Sequence, residues 1–417
     1  MSSFIPEATN RRYVKARLSA GRRQRLLGRP IESPSRARTE RTTVRAPAGS
    51  GMEYETPLFF HVMQYADRAD RDVVDMVSGN PDWEPPEALR EGLRDYASLE
   101  PDRFQYGPSE GLLELREEIA ARRGVDAEQV IVTNGAGEAN YLAMARALER
   151  DSGDEILLTD PVYPYYPGKT TMLGGTQRFV ATDETGQLDP ADVRDAASEE
   201  TAAIVVNSPN NPTGAVYPAE TMEALVEIAE AYDAILVSDE VYDHYDLSGE
   251  FASALESDSA HRIVTNAFSK SMAITGFRVG YAIFPPELVE NAKSRHMLVN
   301  VATTRPPQYA VLRALRETPP EYYEENRALL RERVDTFTDA LDAAGAEYTT
   351  PRGSFYVMAR FEDYPGTLEN VERLIDEAGV AGMPGEAFGD SRSAWLRFAL
   401  VTPRVEEAAE RLATYFG

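Results

Sequence analysis

Short apolar runs alternate with amphipathic stretches along most of the chain. The apolar runs are residues 129–133, 155–159, 203–207, 234–238, 263–267 and 280–284. Between them, residues 137–148 and 219–231 place apolar side chains at the spacing of a helix. Buried strands that alternate with helices are typical of a mostly parallel sheet covered on both faces. The pattern therefore predicts an α/β fold built on such a sheet.

Two stretches lie outside this pattern. Residues 320–345 form a long, charged helical pattern that leads to a C-terminal α+β segment, residues 346–417. Residues 1–51 are rich in Arg, Ser, Pro and Gly and lack apolar periodicity. We interpret residues 1–51 as a disordered basic arm, or as sequence upstream of a true start at Met52. In either case we expect them to be dispensable for folding and activity.

The net charge is strongly negative and unevenly distributed. The formal charge of the 417 residues is −26. Residues 1–50 hold twelve Arg or Lys against three Glu, so the rest of the chain carries about −35. An acidic surface with few lysines keeps a protein dispersed where salt screening is strong. We therefore hypothesise a halophilic host, and we expect the acidic body not to bind nucleic acid.

The composition of the chain excludes several classes of protein and of functional site. The chain has no cysteine, which excludes disulfides, thiolate catalysis and Cys-type zinc sites. Its four histidines show no ligand spacing, so we expect no metal site. No apolar run approaches the ~18 residues of a membrane span, and the start lacks the apolar core of a secretory signal. These features lead us to expect a cytoplasmic protein that does not enter a membrane.

Lysine is scarce in this chain, which draws attention to Lys270. The chain has four lysines, and Lys270 comes soon after the apolar run 263–267. Unlike arginine, lysine can lose its proton and attack a carbonyl to form a Schiff base. On its own, however, Lys270 is equally compatible with a lysine that reaches solvent from the end of a strand.

A second polar group, Asp239, directly follows the apolar run 234–238. A carboxylate at the end of a buried strand is costly unless a cation pairs with it. The protonated nitrogen of a pyridine cofactor would be a suitable partner, and Tyr242 could reach the same ligand. A helix N-cap or a structural ion pair would also explain Asp239, and simple packing would explain Tyr242.

Two turn-like segments also follow strands. Residues 207–214 (NSPNNPTG) predict a rigid turn that would fix the side-chain amide of Asn211, although a turn alone would explain them. Residues 134–140 (NGAGEAN) join a strand to a helix, where backbone N–H groups and the helix dipole favour an anion. Arg278 would supply the counter-charge. Because ligands of parallel sheets bind beyond the carboxyl ends of the strands, we expect these groups to meet there.

Taken together, these motifs resemble the class I and II aminotransferases, which are pyridoxal 5'-phosphate (PLP) enzymes of fold type I. The matching segments are, in chain order, 78–82 (SGNPD), 106–116, 207–214, 238–242 (SDEVY), 268–278 (FSKSMAITGFR) and 395–398 (WLRF). The resemblance covers about residues 53–417. It implies a large PLP-binding domain at residues 89–315, and a smaller α+β domain built from residues 52–88 and 316–417.

By this resemblance, a set of residues along the large domain would hold PLP. Lys270 would carry the cofactor as a Schiff base and shuttle protons, and Asp239 would keep the pyridine nitrogen protonated. Together with Tyr242, these two are the predicted catalytic residues. The other cofactor contacts would be Asn211 and Tyr242 to the phenolic oxygen, Tyr163 to the ring face, and Ala136, Gly137 and Arg278 to the phosphate.

The resemblance also implies a substrate clamp and a shared site. Arg397 would bind the substrate α-carboxylate in a bidentate pair, beside Asn211 and the backbone of Gly79. Tyr106 would reach the phosphate in the neighbouring subunit, which implies a homodimer. Considered alone, Arg397 could equally form a surface salt bridge.

Two positions depart from the pattern of the family. Ala267 stands where many relatives have a serine for the phosphate, and Glu138 stands where relatives often carry a neutral polar or basic residue. A carboxylate beside a phosphate is unfavourable, so we expect Glu138 to point away from it.

The resemblance leads us to expect an aminotransferase that passes an amino group from an L-amino acid to a 2-oxo acid, with 2-oxoglutarate as acceptor, in two half-reactions through a pyridoxamine form. A β-elimination lyase or a cyclising synthase on the same scaffold is the alternative, because the same cofactor chemistry serves both. A non-catalytic regulator is disfavoured by the intact Lys270, Asp239 and Arg397. The donor is left open, since Arg305 could bind a side-chain carboxylate or be an ordinary loop residue, and nearby Tyr and Phe could form an aromatic pocket.

Overall fold

The structure, a computed structural model, describes residues 57–150 and 152–417. The predicted basic arm, residues 1–51, lies outside the described residues, so its interpretation stays a prediction. No helix in the described part of the chain is long and apolar enough to span a membrane.

Strands and helices alternate through the first two thirds of the described chain, as the apolar pattern predicts. The strands are β1 Val74–Asp75, β2 Val130–Thr133, β3 Glu155–Asp160, β4 Thr176–Ala181, β5 Thr201–Asn207, β6 Ile235–Asp239, β7 Arg262–Ala267, β8 Gly280–Ile283, β9 Glu347–Tyr348, β10 Tyr356–Arg360, β11 Val380–Ala381, β12 Met383–Pro384 and β13 Leu396–Ala399. The α-helices are α1 Leu58–Ala66, α2 Glu87–Tyr96, α3 Leu113–Arg123, α4 Ala136–Leu148, α5 Tyr165–Leu173, α6 Pro190–Ala196, α7 Ala219–Ala231, α8 Phe268–Ser271, α9 Pro286–Asn300, α10 Arg305–Glu317, α11 Pro320–Ala343, α12 Leu368–Ala378 and α13 Val405–Phe416.

A seven-stranded sheet forms the centre of the molecule, in the order β2-β8-β7-β6-β5-β3-β4. Its strands are parallel except β8, which runs antiparallel to both of its neighbours. Both faces are covered: in β5, Ile204 and Val206 join the apolar core on one side, and Ala203 and Val205 join the core on the other. The predicted mostly parallel sheet is therefore confirmed.

The edge strand β4 is the one strand of this sheet that the apolar pattern did not predict. Within β4 only Val180 is buried, and most of the other side chains face solvent. An edge strand with one buried position lacks the continuous apolar run that marks the central strands.

The strand directions bring several chain segments to one edge of the sheet. Strands β3, β5, β6 and β7 end at this edge, and so does β2, because it is antiparallel to the reversed strand β8. The segment that precedes β8 reaches the same edge for the same reason. All polar motifs that follow strands in the sequence are thus brought together.

A second, antiparallel sheet forms from the C-terminal part of the chain, in the order β12-β13-β10-β9. Beside it, β1 pairs in parallel with β11, through Val74 opposite Val380. Asp82 and Arg333 form a two-pronged ion pair with both distances at 2.7 Å. The first described segment thus packs with the C-terminal part, as the resemblance implies, while the predicted division at residues 88 and 316 stays a prediction.

Candidate active site

Lys270 lies on the short helix α8, which starts directly after β7 at the carboxyl edge of the large sheet. Its Nζ donates a hydrogen bond to the backbone carbonyl of Gly79, and the Phe355 ring centroid lies 5.7 Å from the same nitrogen. The hydroxyl of Tyr245 donates to the Lys270 carbonyl at 2.8 Å. The amine therefore points into the interior between the two sheets, and not into solvent.

The surroundings of Lys270 favour the unprotonated amine. Burial lowers the pKa of the Lys270 amine from 10.5 to about 8, and the positive charges of Arg397 and Arg278 act in the same direction, against the opposing effect of Asp239. A lysine with a lowered pKa is a better nucleophile near neutral pH, which is the property that Schiff-base chemistry needs.

This pKa predicts how pH controls cofactor uptake. If PLP is the cofactor, as the resemblance implies, the rate at which it attaches to the cofactor-free chain should rise with pH up to about 8 and then level off, because the neutral amine is the attacking form. Stopped-flow absorbance over pH 6–10 measures this rate, and an increase that continues through the upper limit would contradict the assignment.

The same pKa predicts how pH affects the stability of the apoprotein. Since the pKa of Lys270 in the folded chain lies below its unfolded value, burial of the charged amine destabilises the folded chain fully below pH 8. This destabilisation decreases between about pH 8 and 10.5, so the free energy of unfolding should rise with pH through that window.

Asp239 is the last residue of β6 and is 3% exposed. Its Oδ2 accepts hydrogen bonds from the Asn140 amide and the Tyr166 hydroxyl, both at 2.7 Å, and Oδ1 accepts one from the Val241 N–H at 3.2 Å. Thr265 in turn donates to the Asn140 carbonyl oxygen at 2.7 Å, which fixes the orientation of that amide.

Burial raises the pKa of the Asp239 carboxyl, while the hydrogen bonds from Tyr166 and Asn140 oppose this effect. The carboxyl has neutral donors but no arginine or lysine within salt-bridge distance among the described residues. A cation placed beside Oδ1 would hold the carboxylate ionised, as a protonated pyridine nitrogen would do. This geometry disfavours the structural ion pair considered from the sequence.

The turn after β5 connects the two sheets through Asn211 and Arg397. Asn207 donates from its amide to the Asp239 carbonyl at 2.8 Å and accepts from the Asn211 N–H at 2.8 Å. Arg397, on β13, donates from Nη1 to Asn211 Oδ1 at 3.3 Å and from Nη2 to the Val77 carbonyl. The predicted substrate clamp therefore lies next to Asn211, and it is not a surface arginine.

Arg397 is buried among aromatic rings and retains an unused donor. It is 5% exposed, and its guanidinium carbon lies 4.4 Å from the Tyr356 ring centroid and 5.2 Å from that of Phe388. In the described part of the chain, its Nε has no hydrogen-bond partner. A buried arginine with no carboxylate beside it and an orphaned N–H is suited to receive a carboxylate from a ligand.

Tyr242 and Gly79 border the same space. The Tyr242 hydroxyl lies 3.3 Å from the Tyr356 hydroxyl, and its ring packs edge-on against Phe355 at 5.2 Å. A Cβ on Gly79 would clash with the Tyr356 hydroxyl, so a larger residue there would fill the space between Lys270 and Arg397. Tyr163 is half-buried and packs edge-on against Tyr166, whose hydroxyl contacts Asp239.

The start of helix α4 forms the predicted anion cradle. Gly135 has φ 77°, and a Cβ there would clash with the guanidinium of Arg278, which donates to the Asn134 carbonyl at 3.1 Å. A Cβ on Gly137 would meet nothing within 4 Å, and the N–H groups of Ala136 and Gly137 make no hydrogen bond within the described part of the chain. Free N–H groups at a helix start beside a guanidinium suit a phosphate.

The two departures from the family pattern have clear positions. Glu138 accepts a hydrogen bond from the Asn134 N–H at 2.6 Å and lies 2.7 Å from His296 Nδ1, so its carboxylate is paired close to the start of α4. Ala267 is buried at the end of β7 and offers no side-chain donor.

Tyr106 and Arg305 lie away from this centre. Tyr106 is 85% exposed and contacts none of the site residues described above. Arg305 donates from Nη1 to the carbonyls of Asp102 and Gln105, each at 3.1 Å, so it supports the segment that precedes Tyr106.

Sequence reasoning missed the residues that orient the predicted ones. Asn140 and Tyr166 hold Asp239, Tyr356 contacts Tyr242 and Arg397, and Tyr245 holds the backbone of Lys270. Asn140 closes the segment 134–140, and Tyr166 follows Tyr163 by three residues, so both lay close to motifs already singled out. The signal was present, but nothing in one sequence shows that either side chain faces Asp239.

Comparisons with known proteins agree with this geometry. The family model described as aminotransferase class I and II matches residues 71–412. The aspartate/prephenate aminotransferase of Thermus thermophilus is 36% identical over 360 residues, which cover 83% of this chain and 91% of that protein. Aromatic-amino-acid aminotransferase 2 of Thermococcus litoralis is 30% identical over 82% of this chain and 90% of its own length.

Solved structures show the same architecture. A single mutant of the Thermus thermophilus aspartate aminotransferase superposes with a TM-score of 0.81 at 34% identity, covering 88% of this chain and all of that one. The chain belongs to the class I and II aminotransferase family. It is therefore a transferase of PLP fold type I, and its cofactor is PLP.

The residues present at the site fit that cofactor. The cradle at Ala136 and Gly137 is open, the Oδ1 side of Asp239 lacks a cation, and the amine of Lys270 lies in the same space. PLP presents an anionic phosphate, a basic ring nitrogen and an aldehyde, and each of these groups has a matching partner here.

Proposed function

We propose that this aminotransferase moves the amino group of an L-amino acid to a 2-oxo acid, with 2-oxoglutarate as acceptor, in a ping-pong reaction. One observation carries the proposal: a buried amine with a lowered pKa, Lys270, shares one interior space with a buried, incompletely bonded arginine, Arg397. The arginine suits the carboxylate that both substrates carry, and the amine suits proton transfer at their Cα.

Each site residue then has a defined task. Arg397 binds the substrate carboxylate and Asn211 orients the guanidinium. PLP supplies the electron sink that stabilises negative charge at the substrate Cα, and Asp239 holds a proton on its ring nitrogen. Lys270 Nζ would take a proton from the Cα of the amino acid and deliver it to the reacting carbon of the cofactor in the first half-reaction, and it would move a proton in the reverse direction, onto the Cα of the product amino acid, in the second. Tyr242 would hydrogen-bond the cofactor's phenolic oxygen through its hydroxyl.

We propose that the functional unit is a homodimer in which Tyr106 completes the site of the partner. Tyr106 is the most exposed of the large apolar and aromatic side chains in the described part of the chain. A second exposed group lies at the end of α9, where Leu298 is 84% exposed and Val299 and Val301 are more than half exposed. An exposed apolar surface of this kind is typical of a subunit contact.

We further propose an aromatic amino donor. The rings of Phe355, Tyr356 and Phe388 surround Lys270 and Arg397, whereas Arg305 lies apart from them, with Nη1 bonded to two backbone carbonyls and Nε without a partner in the described part of the chain. An aspartate donor would need a second free cation to bind its side-chain carboxylate. Aromatic rings pack better against a flat apolar side chain than against a carboxylate. The name of the Thermococcus litoralis relative, an aromatic-amino-acid aminotransferase, is in line with this proposal.

A panel of amino donors with 2-oxoglutarate at high salt tests both parts. We expect tyrosine and phenylalanine to be consumed faster than aspartate, with one glutamate formed for each aromatic keto acid. Keto acid and ammonia formed without 2-oxoglutarate would indicate elimination and would contradict transamination. Faster turnover of aspartate would contradict only the choice of donor, and the Lys270→Ala protein provides the blank.

We expect the enzyme to depend on salt. Residues 51–417 carry a net charge of about −35, so their acidic side chains repel one another. Salt screens this repulsion, because the Debye length falls from ~30 Å at 0.01 M to ~3 Å at 1 M. Dialysis to low salt should weaken the dimer and release PLP, and molar KCl should restore at least part of the activity. Sedimentation and cofactor absorbance measure these effects. Sucrose is the control, because it strengthens folding without screening charge; full activity and an intact dimer at low salt would refute the halophilic hypothesis.

A further inference from the structure

A fully buried histidine lies behind the anion cradle. His296, on α9, is 0% exposed. Its Nδ1 lies 2.7 Å from Glu138 Oε1, and its Nε2 lies 2.8 Å from the backbone carbonyl of Ser109. Both ring nitrogens therefore face oxygens that accept hydrogen bonds.

These contacts define the protonation state of the pair. A neutral imidazole donates from only one nitrogen, so it would leave one of the two contacts unmade. Glu138 also accepts from the Asn134 N–H at 2.6 Å and from the Asn300 amide, and donors of this kind stabilise a carboxylate. With Glu138 as a carboxylate, which its donors favour, the arrangement that satisfies every group is an imidazolium at His296.

The pair connects three parts of the molecule. Glu138 and Asn134 flank the N–H groups of the cradle, and Arg278 donates to the Asn134 carbonyl. Ser109 lies three residues after Tyr106, and His296 directly precedes the exposed apolar end of α9. One buried ion pair thus fixes the cradle, the Tyr106 segment and the proposed subunit contact relative to one another.

We propose that His296, as an imidazolium paired with Glu138, is a positioning residue for the phosphate grip. This inference rests on the proposed function, since it assumes that Tyr106 reaches the cofactor phosphate of the partner subunit. His296 neutralises the carboxylate that would otherwise repel a phosphate, and it holds the Ser109 carbonyl, which fixes the segment of Tyr106. This pair accounts for a glutamate at position 138, where an isolated negative charge would be unfavourable.

Other charged groups on the packed elements do not replace this pairing. They are Glu110 with Arg116, exposed Glu128, and, on α9 itself, Lys293 with Glu290 and Arg295 with Glu149. Each of these arginines and lysines already has a carboxylate partner. Arg146 on α4 and Arg278 have no carboxylate partner among the described residues. Neither is within ion-pair distance of Glu138, whereas His296 lies 2.7 Å from it.

The charge state can be measured on the wild-type protein without cofactor. The chain has four histidines, and ring ¹⁵N NMR of the histidine-labelled apoprotein at pH 7 should show both ring nitrogens of His296 protonated. The His296 signal is the one that is lost in a folded His296→Gln protein, with the other three histidine signals unchanged. A single neutral tautomer for His296 would overturn the proposal, and this result does not depend on cofactor binding.

The positioning role requires a comparison of two ligands. In His296→Gln and Glu138→Gln, PLP affinity of the apoprotein should fall by about tenfold, as expected when a charged hydrogen bond is lost. Affinity for pyridoxal, which lacks the phosphate, should change by less than about twofold, because a local role spares the ring contacts. His61→Gln is the matched control, because His61 makes a similar 2.8 Å contact with Glu372 but is exposed.

The outcomes separate the two proposals. Equal PLP affinity in wild type and both variants would overturn the role of His296. An equal loss for PLP and pyridoxal would show a general structural defect and would also overturn it. A wild-type protein that takes up no PLP would instead remove the proposed function, while the NMR result would still decide the charge state.

Discussion

Replacing Lys270 with alanine should abolish turnover and remove the covalent attachment of PLP. We expect the rate to fall by about 10⁴-fold or more, because both the Schiff-base nitrogen and the proton-transfer group are lost. Of the lysines in the described chain, Lys270 is the one that donates a hydrogen bond to the Gly79 carbonyl. Borohydride treatment followed by mass spectrometry should find PLP on the wild-type chain at residue 270 and none on the variant.

Two controls make this result specific. Lys293→Ala removes a lysine that pairs with Glu290 on α9, and it should leave both turnover and reduction unchanged. Lys169 has a pKa that burial lowers to about 8, so it is the second reactive amine of the described chain. If borohydride fixes PLP to Lys270→Ala, and the label is on Lys169, then the assignment of Lys270 is wrong.

Asp239→Asn should preserve the fold and lower turnover by about 10³-fold, since an amide cannot stabilise a protonated pyridine nitrogen. The single side-chain oxygen of asparagine can take the position of Oδ2 and still accept from Asn140 and Tyr166, and only the longer 3.2 Å bond from the Val241 N–H is lost, so the melting temperature should fall only slightly. Steady-state kinetics and the cofactor absorbance spectrum measure the loss. Near-normal turnover would show that Asp239 has only a structural role.

The adjacent residue provides a matched comparison. Glu240 is fully buried but pairs with Arg123 and accepts from the Ala254 N–H at 3.0 Å, away from the site. Glu240→Gln should cost about 2 kcal/mol of stability, because it removes one of the two carboxylates that pair with the partly buried Arg123 and leaves only Asp243 at 3.2 Å, while turnover of the folded protein stays close to wild type. The two neighbouring carboxylates should thus show opposite effects on rate and stability.

The sequence predicted the central sheet because its strands are buried on both faces. Continuous apolar runs of this kind identify β2, β3, β5, β6, β7 and β8, and their ends differ from the observed ones by one or two residues. The solvated edge strand β4 escaped the same reasoning, since its burial comes from a single residue, Val180.

The site shows a similar division. Lys270, Asp239 and Asn211 were predictable because each follows a strand, and topology brings the ends of parallel strands together. The neighbours Asn140, Tyr166 and Tyr356 act through their orientation toward those residues, which is set by packing between elements far apart in sequence. Glu138 was recognised as unusual, but its partner His296 lies 158 residues away, and only the fold reveals the contact.

The hydrogen bond between Arg397 and Asn211 spans the two sheets, because Arg397 stands on β13 and Asn211 follows β5. A ligand carboxylate that binds Arg397 adds a further contact to the guanidinium that already connects the two sheets. Substrate binding should therefore stabilise this connection, and amide hydrogens of β13 and its partner β10 should exchange more slowly when substrate is bound. An inhibitor that keeps the carboxylate but lacks a transferable amino group would stiffen the same strands without turning over.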